Sequence, residues 1–216
     1  HMGMCFGVRK AIVRAGAAAD RGPLTILGDL VHNETVLADL RARGIRTSAE
    51  IDEVDTATVM ITAHGASDRR LAEVHGRGLR VLNATCPLVR AAHRAVGVLV
   101  ASGCHPVIVG QANHVEVRGL TEDLAAFDVV LRDEDVDALQ VRPRFGVAAQ
   151  TTQPVERLYR MAALIGQRFP GSDIQVMNTV CLPTRLRQES AEELARQVAD
   201  TVFSPPDHRY SRSVSR

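Results

Sequence analysis

Apolar residues along this chain come in short unbroken runs that alternate with longer stretches of helical periodicity. FGVRKAIVRAGAAADRG after Cys5, PLVRAAHRAVGVLVASG after Cys86 and LPTRLRQESAEELARQVADTV after Cys181 repeat apolar and alanine positions at helical spacing. Gly22 and Gly103 suit the ends of the first two helices, and Pro87 suits the first turn of the second. Ser190 and Glu193 have the spacing of a capping box for the later part of the third. The runs in LTILGDLVHNETV, TVMITAHGAS, GLRVLNATC, HPVIVGQANHVEV, RFGVAAQTTQP and DIQVMNTVC read as strands that end in polar tips. Strands alternating with helices predict an α/β fold of parallel sheets flanked by helices.

The pattern also repeats. Each unit reads strand, Cys, helix, strand, His-x-Glu loop, further αβ, then a strand with a polar tip. His32 follows Cys5, and His114 follows Cys86, at intervals that agree within one position. This divides the chain into a first module (1–85), a second (86–180) and the start of a third with a tail expected to be disordered (181–216). In parallel sheets ligands bind beyond the carboxyl ends of the strands. Cys5, Cys86, Cys181, His32, His64, His114 and the run Gln150-Thr151-Thr152 are therefore predicted to face one region. Each cysteine opens a helix, whose partly positive end favours the thiolate.

Three thiols from three modules permit several readings. Zinc would need a fourth ligand, which a His can supply. Sulfur-only ligation from sheet ends fits an iron–sulfur cluster better; three cysteines on four irons leave one iron open to act on substrate. Packing as small hydrophobes, with no metal, is the plain alternative. Glu34 and Glu116 are proton-transfer candidates. The other polar residues have structural readings too. His32 and His114 can satisfy turn backbone, Thr151 or Thr152 can cap a helix before Pro154, and His64 can cap LAEVHG. Cys104, His75, His93 and His105 stand outside the repeat and read as structural or surface residues.

Composition narrows the classes. With 216 residues, 45% hydrophobic and 24% charged, the chain is globular in composition. Net charge is +1 and aromatics are 3%, which offers nothing to nucleic acid or anionic lipid. No apolar run reaches membrane-span length and no signal segment is visible, so a cytoplasmic location is expected. The absence of CxxC excludes a zinc ribbon.

The stretches CFGVRKAI, GDLVHNETV, TAHGAS, NATCPLV, HVEV, AQTT and NTVC, with RQE after them, resemble the LytB/IspH family of 4-hydroxy-3-methylbut-2-enyl diphosphate reductases. They run in the family's order from residue 5 to about 195. The resemblance implies a pseudo-threefold cloverleaf of αβ modules around a [4Fe-4S] cluster held by Cys5, Cys86 and Cys181. It places His32, His64 and His114 in a diphosphate pocket, Glu116 as proton donor and Thr151 on the substrate hydroxyl. The implied reaction removes an allylic hydroxyl with two electrons from ferredoxin or flavodoxin, giving isopentenyl and dimethylallyl diphosphates.

The sequence also departs from that pattern. The strand expected before the first cysteine and most of the third module are missing. The family's Ser-Ser-Asn diphosphate run is replaced by Asp207-His208-Arg209-Tyr210 within SPPDHRYSRSVSR, which is read as a disordered tail. Val115 and Arg118 stand where the pattern has Pro and Glu. A partner chain completing the third module is one expectation. A degenerate relative that binds a cluster or metal without turnover, as a sensor or assembly subunit, is the alternative.

Overall fold

The computed structural model describes residues 4–31 and 33–203. His32 and the tail from 204 onward, with its expected disorder, lie outside the described residues.

After α1 (Phe6–Ala19) come β1 (Leu24–Leu27), α2 (Glu34–Ala42), β2 (Arg46–Ser48), a 3-10 turn (Ile51–Glu53), β3 (Thr58–Ile61), α3 (Asp68–Gly76) and β4 (Arg80–Asn83). A second round follows: α4 (Pro87–Ala101), β5 (His105–Val109), α5 (Val115–Thr121), β6 (Asp128–Val130), α6 (Asp133–Asp137), β7 (Arg144–Ala149), α7 (Val155–Arg168) and β8 (Asp173–Met177). α8 (Leu182–Phe203) closes the described chain, and no strand follows it among the described residues.

The strands form two four-stranded parallel sheets with the same winding, β2-β1-β3-β4 and β6-β5-β7-β8. Leu24 pairs with Thr58 across β1 and β3, and His105 pairs with Phe145 across β5 and β7. Both sheets are covered on both faces, which is why their central strands are almost continuously apolar. Ile26, Met60 and Leu30 pack with Ala11 and Ala15 of α1 on one face of the first sheet. Val59, Ile61 and Val74 pack on its other face. Phe145, Val147, Leu158, Met161 and Ile165 make the corresponding core under α7, and Leu99, Ile108 and Ala148 the one under α4. Along α4 the buried positions are Val89, Ala92, Val96 and Leu99, the helical stripe that the sequence pattern predicts.

α5 joins the modules. Its Gly119 lies against Ala66, so that a side chain there would stand 3.6 Å from the Ala66 Cα. Ser67, fully buried, caps α3 by accepting from Arg70 N–H at 3.1 Å and donates to Glu122 at 2.5 Å. Asp123 accepts from the Asp68 and Arg69 amides at 2.6 and 3.0 Å.

Two local expectations are corrected. α8 runs without interruption through Ser190, whose hydroxyl bonds back to the Leu186 carbonyl at 2.8 Å, so Ser190 and Glu193 form no capping box. α7 begins at Val155 with no side-chain cap, because Thr151 and Thr152 are engaged elsewhere. No helix among the described residues is long and apolar enough to cross a membrane.

Candidate active site

The helix-opening cysteines are set by the same backbone device twice. Asn83 Oδ1 accepts from Thr85 N–H at 3.0 Å, and Asn178 Oδ1 accepts from Val180 N–H at 3.1 Å. Each turn delivers the following cysteine to a strand tip of its own sheet. Cys86 N–H donates to the Ala63 carbonyl beyond β3 at 3.0 Å, and Cys181 N–H donates to the Thr151 carbonyl beyond β7 at 2.9 Å. Asn-x-x-Cys is thus a local signal that both units share.

Cys5 and Cys86 occupy the N-cap positions of α1 and α4, and Cys181 precedes α8; all three are partly buried. α1 approaches α4 at Gly7. A side chain there would place its Cβ 2.8 Å from the Cys86 sulfur and 3.9 Å from that of Cys5. The two thiols therefore border one point, which only a missing side chain keeps open. Cys181 Sγ contacts Thr184 Oγ1 at 3.0 Å. Among the described residues no three His, Cys, Asp or Glu side chains converge on a single metal ion. An iron–sulfur cluster asks for something different, since it presents a separate iron to each thiolate. Soft donors at helix starts, with the gap at Gly7, fit such a group.

Thr151 follows the tip of β7, and Glu116 is carried by α5 beyond the tip of β5; between these two strands the order reverses and a parallel sheet opens a crevice. Glu116 is 1% exposed. It accepts Thr151 N–H at 2.6 Å and the Thr151 hydroxyl at 3.0 Å. Burial pushes its carboxyl above the usual carboxylate range, opposed by the two Thr151 hydrogen bonds. A carboxyl raised in this way suits general-acid work. Gln150 holds the neighbouring loops, accepting from Gln111 N–H at 3.1 Å and donating to Thr152 at 2.9 Å.

His64 and His114 meet edge to face across the two modules, with centroids 5.5 Å apart and planes at 87°. His114 caps α5, its Nδ1 accepting Glu116 N–H at 3.1 Å; Nε2 is then the protonated ring nitrogen. His64 follows Thr62, whose hydroxyl accepts the His64 N–H at 3.3 Å. Gly65 turns at φ +80°, and a Cβ there would press on Thr85, His93 and Val89 at 3.1 to 3.3 Å. His93 packs under this loop with Nε2 buried and unpartnered among the described residues; burial lowers its pKa, against Asp68 and Asp123.

The matched His-x-Glu loops diverge. Glu34 is not a second site acid: its side chain is 78% exposed and paired with Arg41. In the first module Asn33 caps α2, so Glu34 is the first helical residue; in the second, His114 caps α5 and Glu116 is the second residue. One step along a helix turns a side chain by about 100°. The sequence reading named Arg118 only as a departure from the family pattern and not as a site residue, yet it lines the cleft beside His114 with Gln111, Asn113, Asp29 and Ser48. Its signal was the four-residue spacing from His114, which puts both on one helix face.

Comparison with known proteins adds the following. The family model described as LytB protein matches residues 1–204. A protein of Pelobacter propionicus named 4-hydroxy-3-methylbut-2-enyl diphosphate reductase is 38% identical over 198 residues, 91% of this chain and 70% of that protein. One of the same name from Geotalea uraniireducens is 36% identical over the same shares. A solved structure of (E)-4-hydroxy-3-methyl-but-2-enyl diphosphate reductase, the terminal enzyme of the non-mevalonate pathway, superposes with TM-score 0.76 at 34% identity, over 90% of this chain and 71% of that one. The Plasmodium falciparum reductase structure gives TM-score 0.82 at 24% identity, a likeness of fold, and this chain spans 63% of it.

Proposed function

The chain belongs to the LytB protein family, and from that premise we propose that it reduces 4-hydroxy-3-methylbut-2-enyl diphosphate to isopentenyl and dimethylallyl diphosphates. The observation that carries this reading is a hydrogen-bonded chain of three residues. Cys181 N–H reaches the Thr151 carbonyl at 2.9 Å, and Thr151 N–H reaches the Glu116 carboxylate at 2.6 Å. Thiol, hydroxyl and raised carboxyl are thereby fixed in mutual register.

In this reading Cys5, Cys86 and Cys181 hold a [4Fe-4S] cluster. When bound, the cluster supplies single-electron transfer and one iron without a thiolate as Lewis acid. The chain's own residues do the rest. His64 and His114, joined by His32, recognise the diphosphate, with His114 Nε2–H as a donor. Thr151 orients the allylic hydroxyl, and Glu116 supplies protons. The balance is two electrons and two protons per turnover: the carbon–oxygen bond breaks, oxygen leaves as water and carbon gains hydrogen. The electrons come from an external carrier such as ferredoxin or flavodoxin. The chain spans 63% of one solved reductase and 71% of the other.

The test is anaerobic turnover of the reconstituted chain with dithionite and a viologen, followed by mass spectrometry of the products. Formation of the two diphosphates, slowed by orders of magnitude in Glu116→Gln, supports the reading. Cluster content without product favours a family member that holds the cluster and does not turn over.

A further inference from the structure

Ala149 ends β7 fully buried, so its main-chain N–H and C=O need partners that water cannot supply. The last paired residues of β7 and β8 are Ala148 and Met177. Beyond them the Thr179 hydroxyl takes the place of a strand. It accepts Ala149 N–H at 2.8 Å and donates to the Ala149 carbonyl at 2.5 Å. Two residues further along both segments, Cys181 N–H donates to the Thr151 carbonyl at 2.9 Å. Segments 149–151 and 179–181 are thus tied twice, in register, past the end of the sheet.

The first module makes the same junction without a side chain. Ala84 stands to Cys86 as Thr179 stands to Cys181, and Ala84 N–H donates straight to the Ile61 carbonyl at 3.0 Å. Cys86 N–H then bonds the Ala63 carbonyl, two residues on. In the second module the Oγ1 and Cβ of Thr179 stand between the two main chains, so a side chain sets the spacing of the Cys181 turn. A single hydrogen bond leaves a turn free to pivot about it, and a second one in register fixes its angle as well. The Thr151 end of this pair carries the Glu116 contacts, through N–H at 2.6 Å and hydroxyl at 3.0 Å. A shift of the turn therefore changes how the Cys181 thiol stands to the acid pair.

We infer that Thr179 is a positioning residue, whose hydroxyl holds the Cys181 turn against β7 and so fixes the Cys181 thiol relative to Thr151 and Glu116. The use of that geometry in turnover rests on the reductase reading, whereas the placement of the thiol is measurable in the chain without a cluster. Thr179→Val keeps the side-chain shape and removes both bonds to Ala149, and Thr179→Ser keeps the hydroxyl.

The experiment alkylates the full chain, before reconstitution, with iodoacetamide at one fixed pH and follows each cysteine by peptide mass spectrometry. Expected in Thr179→Val is about tenfold faster modification of Cys181, with Cys86 and the buried Cys104 at wild-type rates. Thr179→Ser should return Cys181 to the wild-type rate. Cys104 reports general loosening of the fold, which a merely structural role would produce. Acceleration of all the thiols together overturns the proposal, as does a Cys181 rate that does not change or a serine variant that behaves like the valine one. Native-state hydrogen exchange of wild type covers a valine variant that does not fold. The Ala149 and Cys181 amides should open together, with protection equal within about threefold. A Cys181 amide that exchanges freely while Ala149 stays protected overturns the proposal too. In the reconstituted enzyme driven by dithionite, kcat should fall about tenfold in Thr179→Val with KM nearly unchanged. Turnover with Cys181 alkylation indifferent to Thr179 sinks this proposal alone. The expected alkylation pattern without any wild-type turnover sinks the reductase reading and leaves the placement of the thiol by Thr179.

Discussion

Thr151 satisfies both oxygens of Glu116, one with its backbone N–H and one with its hydroxyl, at a position where water has almost no access. Burial nonetheless wins, and the carboxyl titrates above its ordinary range. A raised native pKa stabilises the fold fully below the unfolded value, and that contribution is lost as pH rises through the native pKa. Glu116→Gln lacks the loss. Its urea midpoint is therefore expected to overtake wild type increasingly toward alkaline pH, with little difference in acid. The same variant should lose about two to four decades of turnover. Parallel stability curves at all pH values would contradict the assignment.

Gly7→Ala separates helix stability from thiol placement. Alanine raises intrinsic helix propensity by about 1 kcal/mol, while its Cβ arrives 2.8 Å from the Cys86 sulfur. Thermal unfolding is expected to stay near wild type while reconstituted iron falls sharply. Full iron content in the variant would show that the thiols do not depend on this gap.

His114 has two roles that one substitution can split. His114→Asn keeps a residue suited to capping α5 but removes the imidazole; His114→Ala removes both and is expected to cost a further ~1 kcal/mol of stability. Both should weaken pyrophosphate binding by calorimetry by about one to two decades, the loss of one charge-assisted hydrogen bond. Unchanged binding in His114→Asn would remove His114 from the pocket.

Ser67 ties the modules together. Hydrogen bonds from Ser67 and Arg69 hold the Glu122 carboxyl below its usual range. The stabilisation is present above the ordinary carboxyl pKa and is lost as pH falls through the lowered one. Ser67→Ala should cost about 1–2 kcal/mol at neutral pH by urea unfolding, cap included, with the gap to wild type narrowing in acid.

Legibility from sequence followed burial. The central strands were visible because both faces of each parallel sheet are covered, leaving runs such as LTIL and TVMI wholly or almost wholly buried. β2 and β6 were not singled out: RTS and DVV are short edge strands, and β2 is largely exposed. Cys86 and Cys181 were legible because Asn83 and Asn178 repeat the same turn. Glu34 misled because a matched spacing in sequence does not fix the helix cap, and Asn33 moved it by one residue. The pairing of His64 with His114 and the role of Gly7 depend on contacts between modules, which no local pattern encodes.

Iron and acid-labile sulfide per chain after anaerobic reconstitution, in wild type and in Cys181→Ser, address the thiol centre itself. Expected are about four of each in wild type and a collapse of both in the variant. A single metal ion per chain, or a full complement that survives loss of Cys181, would contradict a cluster held by the three helix-opening cysteines.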